Sequence, residues 1–491
     1  MMPSPLVETL LSDAETPVSL FYKLARAAST AFLFESAEGD RRVARFSFMG
    51  VDPRLTVRFE DGEAVIEDAR AQSRRCEPCE DPTALLARLA AEFLPDAPEK
   101  TGALKTFPFT AGWVGVMGYG ATRYYENIPQ QALDPQGAPD GAYALYESVI
   151  VFDHLYRRLY LISYAPADEA ANWMARVRAA LGDRAAAPPL LPFPAEGATC
   201  DPFAGVQSAM GEAAFKEGVA QAQGYIQEGQ AFQIVLSHRF YRPVSASSLD
   251  IYRTLQAVNP SPYAYFLKFP GFDYLGSSPE TYASCLDGQV TLRALAGTRP
   301  RGATPEEDAA LAASLLADEK ELAEHRMLVD LGRNDLGRTC VAGTVETGEV
   351  GCITWYAHVM HLTTEISGRL RPGKSAYDVF RCCFPRGTVS GAPKIRAMEL
   401  LAQMERERRG FYAGAVGYFD ITGNMDGAIA IRSALIRDGV AHINAGAGLV
   451  ADSTPEGEWQ ETRNKARSTL MAIALAEKMA VSTPAPEGSR L

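Results

Sequence analysis

The chain has 491 residues, enough for two large domains or one elaborate one. At 47% hydrophobic and 22% charged residues, its composition is that of an ordinary soluble globular protein. A net charge of −12 argues against nucleic acid as a main partner but leaves room for a small anion held by a few local cations.

The N-terminal twenty residues are interrupted by Pro3, Pro5, Glu8, Asp13 and Glu15. They have neither a basic start nor a long apolar core, so no signal peptide is expected. No run approaches the length of a membrane-spanning helix. Strands are predicted over 47–57, 142–152 and 159–165, the last two as a hairpin, and helices over 83–93 and 167–181. Cys76-x-x-Cys79 lacks the second pair that a zinc site needs. Cys382-Cys383 reads as a pair on a helix face. The eight scattered cysteines point to reduced thiols and a cytoplasmic location.

Pro188, Pro189, Pro192, Pro194 and Pro202 interrupt regular structure and mark a seam. The expected organisation is an N-terminal lobe over 1–185, a Pro-rich linker over 186–202, a second domain over 203–480 and a disordered tail over 481–491. After the seam, a helix over 212–228 is stopped by Gly229. Strands follow over 232–240, 263–269, 274–276, 282–286 and 290–295. Helix is predicted over 306–336 in two pieces, with Asp318 capping the second. Strands over 414–420, 428–436 and 441–444 precede a final helix over 456–479. Strands and helices without regular βαβ alternation suggest an α+β fold with antiparallel sheets.

The strongest chemical signal is a pattern that occurs twice, Glu321-x-x-Glu324 and Glu458-x-x-Glu461. In a helix, this spacing puts both carboxylates of a pair on one face. Four such groups on facing helices repel one another unless a cation lies between them, and Mg²⁺ takes oxygen ligands of this kind. Lys465 follows Glu461 at i+4. For a single pair, a solvated acidic face would be the better reading.

Further along, Phe384-Pro385-Arg386-Gly387-Thr388-Val389-Ser390-Gly391-Ala392-Pro393-Lys394 reads as a loop opening into a helix. An anion site there, using the Thr388 and Ser390 hydroxyls, and an ordinary helix cap weigh about equally. The Gly446-x-Gly448-x-x-Ala451 segment superficially matches a dinucleotide fingerprint, but Asp452 to Pro455 intervene before any helix, so that fold is rejected. Glu280, at a strand end, would suit a general acid if burial raised its pKa. His361, in an apolar strand, is more often structural than catalytic. Arg432, inside an apolar strand, needs an anionic partner.

With these residues in view, the chain closely resembles the chorismate-utilising enzymes, and among them the large subunits of anthranilate synthase. The resemblance runs from about residue 31 to 478. It rests on Phe34-Glu35-Ser36, Asn259-Pro260-Ser261-Pro262-Tyr263, Leu295 to Gly302, Asp318 to Glu321, His361 to Glu365, Gly387 to Lys394, Ala445 to Gly448 and Glu458 to Lys465. It implies an α/β sandwich of two large antiparallel sheets with helices outside. It implies Mg²⁺ on Glu324 and Glu461, supported by Glu321 and Glu458, and holding the ring carboxylate of chorismate. Tyr412 and Arg432 would hold the enolpyruvyl carboxylate, with Gly297, Thr298, Gly446, Ala447, Gly448 and Lys465 as further contacts. Glu280 matches the family's acid, and His361 and Thr388 lie near the reacting ring. Gln233 stands where water-using relatives carry a lysine, so ammonia is favoured. Ala296 stands where aminodeoxychorismate synthases, the alternative reading, commonly carry a lysine. A non-catalytic tryptophan-sensing subunit is a second alternative. Glu35, Ser36, Pro262, Tyr263 and Ala264 match a tryptophan feedback site, with Phe34 and Ala264 departing from its usual pattern. The chain has no Gly-x-Cys-x-Gly segment, so a separate glutamine amidotransferase subunit is expected to supply ammonia.

Overall fold

The computed structural model describes residues 5–36, 45–94, 102–129, 131, 133–193, 200–356 and 359–482. Two antiparallel sheets, each of twelve strands among these residues, stack face to face. The first runs from Leu6–Leu11 at one edge, through Ala31–Glu35 and Tyr263–Phe269, to Val440–Leu449 and Gln233–Pro243. The second runs from Val359–Arg369 and Gln289–Pro300, through Met425–Ile429 and Ala415–Asp420, to Gly112–Met117 and Leu55–Glu60.

Aromatic side chains fill the space between the sheets. Phe32 meets Tyr146 edge-on with ring centroids 4.8 Å apart, and Phe48 and Phe109 pack around Tyr418. Helices cover the outer faces. Pro17–Ala25, Glu212–Gln227, Ser248–Val258 and Pro455–Ser482 bury their apolar sides on the first sheet. Pro82–Phe93, Glu319–Gly337 and Ala376–Cys383 do so on the second. Among the described residues no helix is long and apolar enough to cross a membrane.

The stretches before and after the Pro-rich seam contribute strands to both sheets. Ala31–Glu35 pairs with Tyr263–Phe269, and Gly112–Met117 pairs with Ala415–Asp420. Residues 194–199 of that seam and 483–491 of the expected tail lie outside the described residues.

Three runs predicted as single strands each divide and cross between the sheets. The first becomes Phe46–Val51 and Leu55–Glu60, the second Gly141–Tyr146 and Ser148–Asp153, and the third Met425–Ile429 and Ser433–Arg437. Strands covered on both faces read as near-continuous apolar sequence, and each crossing is marked by charged residues: Asp52 and Arg54, Glu147, and Arg432. Two of the crossings take a left-handed residue, Asp52 at φ 54° and Arg432 at φ 52°. Arg432 therefore lies in a bend between strands rather than inside one.

The helical stretch after 305 does form two pieces, Pro305–Leu316 and Glu319–Gly337. Asp318 caps the second by accepting from the Lys320 and Glu321 amides. Two α-helices were not predicted, Pro17–Ala25 and Ser248–Val258, while Cys382 and Cys383 fall on a helix as expected, Ala376–Cys383.

Candidate active site

A cavity of about 610 Å³ opens where the adjoining strands Gln233–Pro243 and Val440–Leu449 approach Glu319–Gly337 and Pro455–Ser482. Both acidic pairs reach it: Glu321 and Glu324 from one helix, Glu458 and Glu461 from the other. Burial, then the charges of Glu324 and Asp318, raises the Glu321 carboxyl above its ordinary value. Burial and Glu461 do the same to Glu458. Glu458 Oε2 is buried without a hydrogen-bond partner. Glu324 Oε1 accepts from Gln233 Nε2 at 2.8 Å, and Glu461 pairs with Lys465 at 2.6 Å.

Among the described residues no three or more His, Cys, Asp or Glu side chains are gathered as a preformed metal cluster. The acidic set, with its orphaned buried oxygen, fits an ion that takes one or two carboxylates and completes its shell with water and substrate oxygens. It does not fit an ion that needs an all-protein cage.

Glu280 sits at the turn between Phe272–Ser278 and Thr281–Leu286. Its Oε1 accepts from Thr388 Oγ1 at 2.7 Å. Burial pushes this carboxyl above its ordinary value, while the Thr388 hydroxyl and the charges of Arg386, Lys465 and Arg432 pull it down. His361 Nδ1 lies 3.0 Å from the Gly297 carbonyl and 3.0 Å from Thr298 Oγ1. Donation to that carbonyl puts the proton on Nδ1 and leaves Nε2 as an acceptor. Burial lowers the imidazole pKa, which favours the neutral ring.

Burial also lowers the Arg432 pKa, and among the described residues its guanidinium has no hydrogen-bond or ion-pair partner. Its guanidinium is therefore available to a ligand carboxylate. Beside it is Tyr412, whose phenol burial raises to about 12, so it remains a donor. Lys465 Nζ donates to the Gly446 carbonyl at 3.0 Å. Glycine is needed at 446, because a Cβ there would lie 2.8 Å from Tyr412 Oη and 3.0 Å from the Leu236 carbonyl oxygen.

The structure thus brings nearly every residue predicted for catalysis, substrate or metal to one cavity. The exception is Ala447. Strand alternation turns its methyl to the opposite face, where it packs under the helices of the first sheet. The anion-site reading of the loop over 384–394 is corrected. Ser390 Oγ donates back to the Arg386 carbonyl rather than into the cavity. Lys394 at the following helix start is paired with Asp335 at 3.1 Å, and Arg396 with Glu399 at 2.6 Å. These cations are already neutralised, so that helix start is not a free anion site. Lys320 and Asn464 also line the cavity and were not predicted. Each faces inward from a helix turn already carrying an acidic pair, and helical spacing from Glu324 and Glu461 was the signal available.

A second, small pocket of about 60 Å³ lies between the sheets. It is lined by all five residues expected to form an effector site: Glu35, Ser36, Pro262, Tyr263 and Ala264. Asp426 also lines it and was missed; burial raises its carboxyl to about 7.

The fold and this acidic, arginine-bearing cavity define a class. The chain matches the family described as chorismate binding enzyme over residues 29–471, and it belongs to that family. It is 42% identical to the anthranilate synthase component 1 of Mycolicibacterium smegmatis, over 97% of this chain and 92% of that one. It is 40% identical to that of Pseudomonas aeruginosa, covering 96% of each. Its fold is similar to the crystal structure of anthranilate synthase component I from Streptococcus pneumoniae. The TM-score is 0.76 at 34% identity, covering 94% of this chain and 99% of that one.

Proposed function

We propose that the protein is the chorismate-aminating large subunit of a Mg²⁺-dependent anthranilate synthase, a lyase that turns chorismate and ammonia into anthranilate, pyruvate and water. The observation that carries this reading is the unpartnered Arg432 in a cavity whose other walls hold four glutamates and the Glu280–Thr388 pair. A dianionic substrate needs both a fixed cation and a metal, and a poor leaving group needs a proton donor.

In this reading Glu324 and Glu461 hold Mg²⁺, with Glu321 and Glu458 supporting them. The ion supplies positive charge for the ring carboxylate of chorismate. Arg432 and Tyr412 take the enolpyruvyl carboxylate by charge-assisted hydrogen bonds. Backbone at Gly297, Gly446 and Gly448 lets the ring approach closely. Ammonia adds at ring C2 while the C4 hydroxyl departs as water, protonated by Glu280. Thr388 orients that carboxyl. Gln233, an amide, offers no base to activate water, which leaves ammonia as the nucleophile. Loss of the C2 proton then expels the side chain as pyruvate and aromatises the ring. Neutral His361, with Nε2 free to accept, is the base available in the cavity wall.

The relatives named component 1 support a second component, for which a glutamine amidotransferase subunit is the chemical candidate, delivering ammonia. The small pocket, with its two carboxyls among aromatic rings, supports tryptophan as a feedback inhibitor. The cysteine usage supports a cytoplasmic location.

The test is a product assay with chorismate, Mg²⁺ and excess ammonium at mildly alkaline pH. Mg²⁺-dependent anthranilate and pyruvate are expected. Aminodeoxychorismate as the product, or no turnover with a competent amidotransferase partner present, overturns the reading.

A further inference from the structure

The small pocket and the active-site cavity are joined by two short chain stretches. In one, Glu280 faces the active site, while the next residue, Thr281, places its Oγ1 3.2 Å from Oη of Tyr263 in the small pocket. In the other, Asp426, Gly427 and Ala428 line the small pocket, and Ile431 and Arg432 line the active site. The stretches are bonded together, since the Ile429 amide donates to the Glu280 carbonyl at 3.0 Å. The register between them shifts at Thr281 to Ala283, opposite Ala428 and Gly427. A bulge is where a strand pair can re-aim a neighbouring side chain.

The pocket's size adds the second part of the argument. About 60 Å³ holds a few water molecules, whereas small-molecule sites typically span about 300–1,000 Å³. An aromatic amino acid therefore enters only if lining side chains move. Tyr263 has two partners, Thr281 and Asp426, the latter at 3.1 Å from its Oη. It can leave Thr281 without orphaning its hydroxyl.

We propose that Thr281 is a positioning residue through which occupancy of the small pocket reaches Glu280 and Arg432. With the pocket empty, the Tyr263–Thr281 bond holds the bulge and the catalytic acid in register. A bound aromatic amino acid displaces Tyr263 toward Asp426 and releases it. The inference rests on the feedback reading above and supplies its route.

The experiment compares wild type with Thr281→Val, which removes the hydroxyl at nearly constant volume and touches neither cavity. Ammonia-dependent turnover is measured against tryptophan. Tryptophan affinity is measured by calorimetry with and without chorismate and Mg²⁺, ammonium being omitted. Coupling is reciprocal, so chorismate and tryptophan weaken each other by one factor, typically about 5–150-fold. In Thr281→Val that factor is expected to fall toward one, with tryptophan-free turnover lowered toward that of inhibited wild type and tryptophan affinity in the absence of chorismate retained. Thr281→Ser is expected to restore it. Thr281→Ala gives the same readout if valine is not accommodated. A variant inhibited as strongly as wild type overturns the coupling route and leaves feedback standing. Wild type that neither binds tryptophan nor is inhibited by it overturns the feedback reading and the route together.

Discussion

Thr388 Oγ1 donates to Glu280 Oε1 at 2.7 Å, and this pair brings together two segments 108 residues apart. Burial raises the carboxyl, and the hydroxyl and nearby cations limit that rise. The acid is thus kept weak enough to hold a proton and polar enough to be positioned.

Glu280→Gln should lower the amination rate by roughly 10²–10⁴-fold, the usual worth of a positioned acid, with chorismate affinity preserved. The sign of the stability effect follows from linkage. A carboxyl raised on folding binds more protons folded than unfolded, so stability falls as pH rises from its unfolded value through its folded one. The glutamine variant lacks that loss. Its thermal midpoint should equal or exceed that of wild type at pH 8, with the advantage shrinking toward pH 4. Full activity in Glu280→Gln would remove the residue from the mechanism.

The Gln233–Glu324 hydrogen bond at 2.8 Å orients one carboxylate of the acidic set. Glu324→Ala and Glu461→Ala should each abolish Mg²⁺ binding in calorimetry. Gln233→Leu should weaken it about 10–100-fold, the size seen when a ligand's supporting partner is removed. Treatment with a chelator should stop wild-type turnover, and added Mg²⁺ should restore it. Unchanged metal affinity in both alanine variants would sink the assignment.

Arg432 takes a left-handed conformation, and its guanidinium has no hydrogen-bond or ion-pair partner among the described residues. Arg432→Lys keeps the charge but loses the paired donors that match a carboxylate. A charge-assisted hydrogen bond contributes about 1.5–3 kcal/mol, so KM for chorismate should rise about 10–100-fold with little change in the melting temperature. Steady-state kinetics beside a thermal scan would decide this. An unchanged KM would mean that the guanidinium does not meet substrate.

The acidic helices were legible because helical spacing sets which side chains share a face, whatever the tertiary fold. The sheets were less so. Residues 47–57, 142–152 and 428–436 each read as one strand, yet each divides between two sheets. The crossings carry charged residues, Asp52 and Arg54, Glu147 and Arg432, but the apolar stretches on either side, covered on both faces, read through them as one strand. Arg432 was legible as a residue needing an anion, but its bend was not, because left-handed backbone at a non-glycine is set by the crossing. Ala447 shows the reverse. The motif placed it with Gly446 and Gly448, and only the pleat turns its methyl away. Asp426 escaped notice because it is distant in sequence from the five residues expected to form its pocket.

Gly446 offers the most local test of the cavity. A methyl there meets Tyr412 Oη at 2.8 Å and the Leu236 carbonyl oxygen at 3.0 Å. The carbonyl belongs to the adjacent paired strand and has little room to yield, so the tyrosine must move. Gly446→Ala should raise KM for chorismate about tenfold or more, and overpacking should cost about 1–3 kcal/mol of stability. If displacement of Tyr412 is the cause, Tyr412→Phe removes the clashing oxygen and the two changes will not add. Gly446→Ala combined with Tyr412→Phe should then bind chorismate no more weakly than Tyr412→Phe alone. Strict additivity of the two losses would place the effect of Gly446 elsewhere, on the Lys465 contact to its carbonyl.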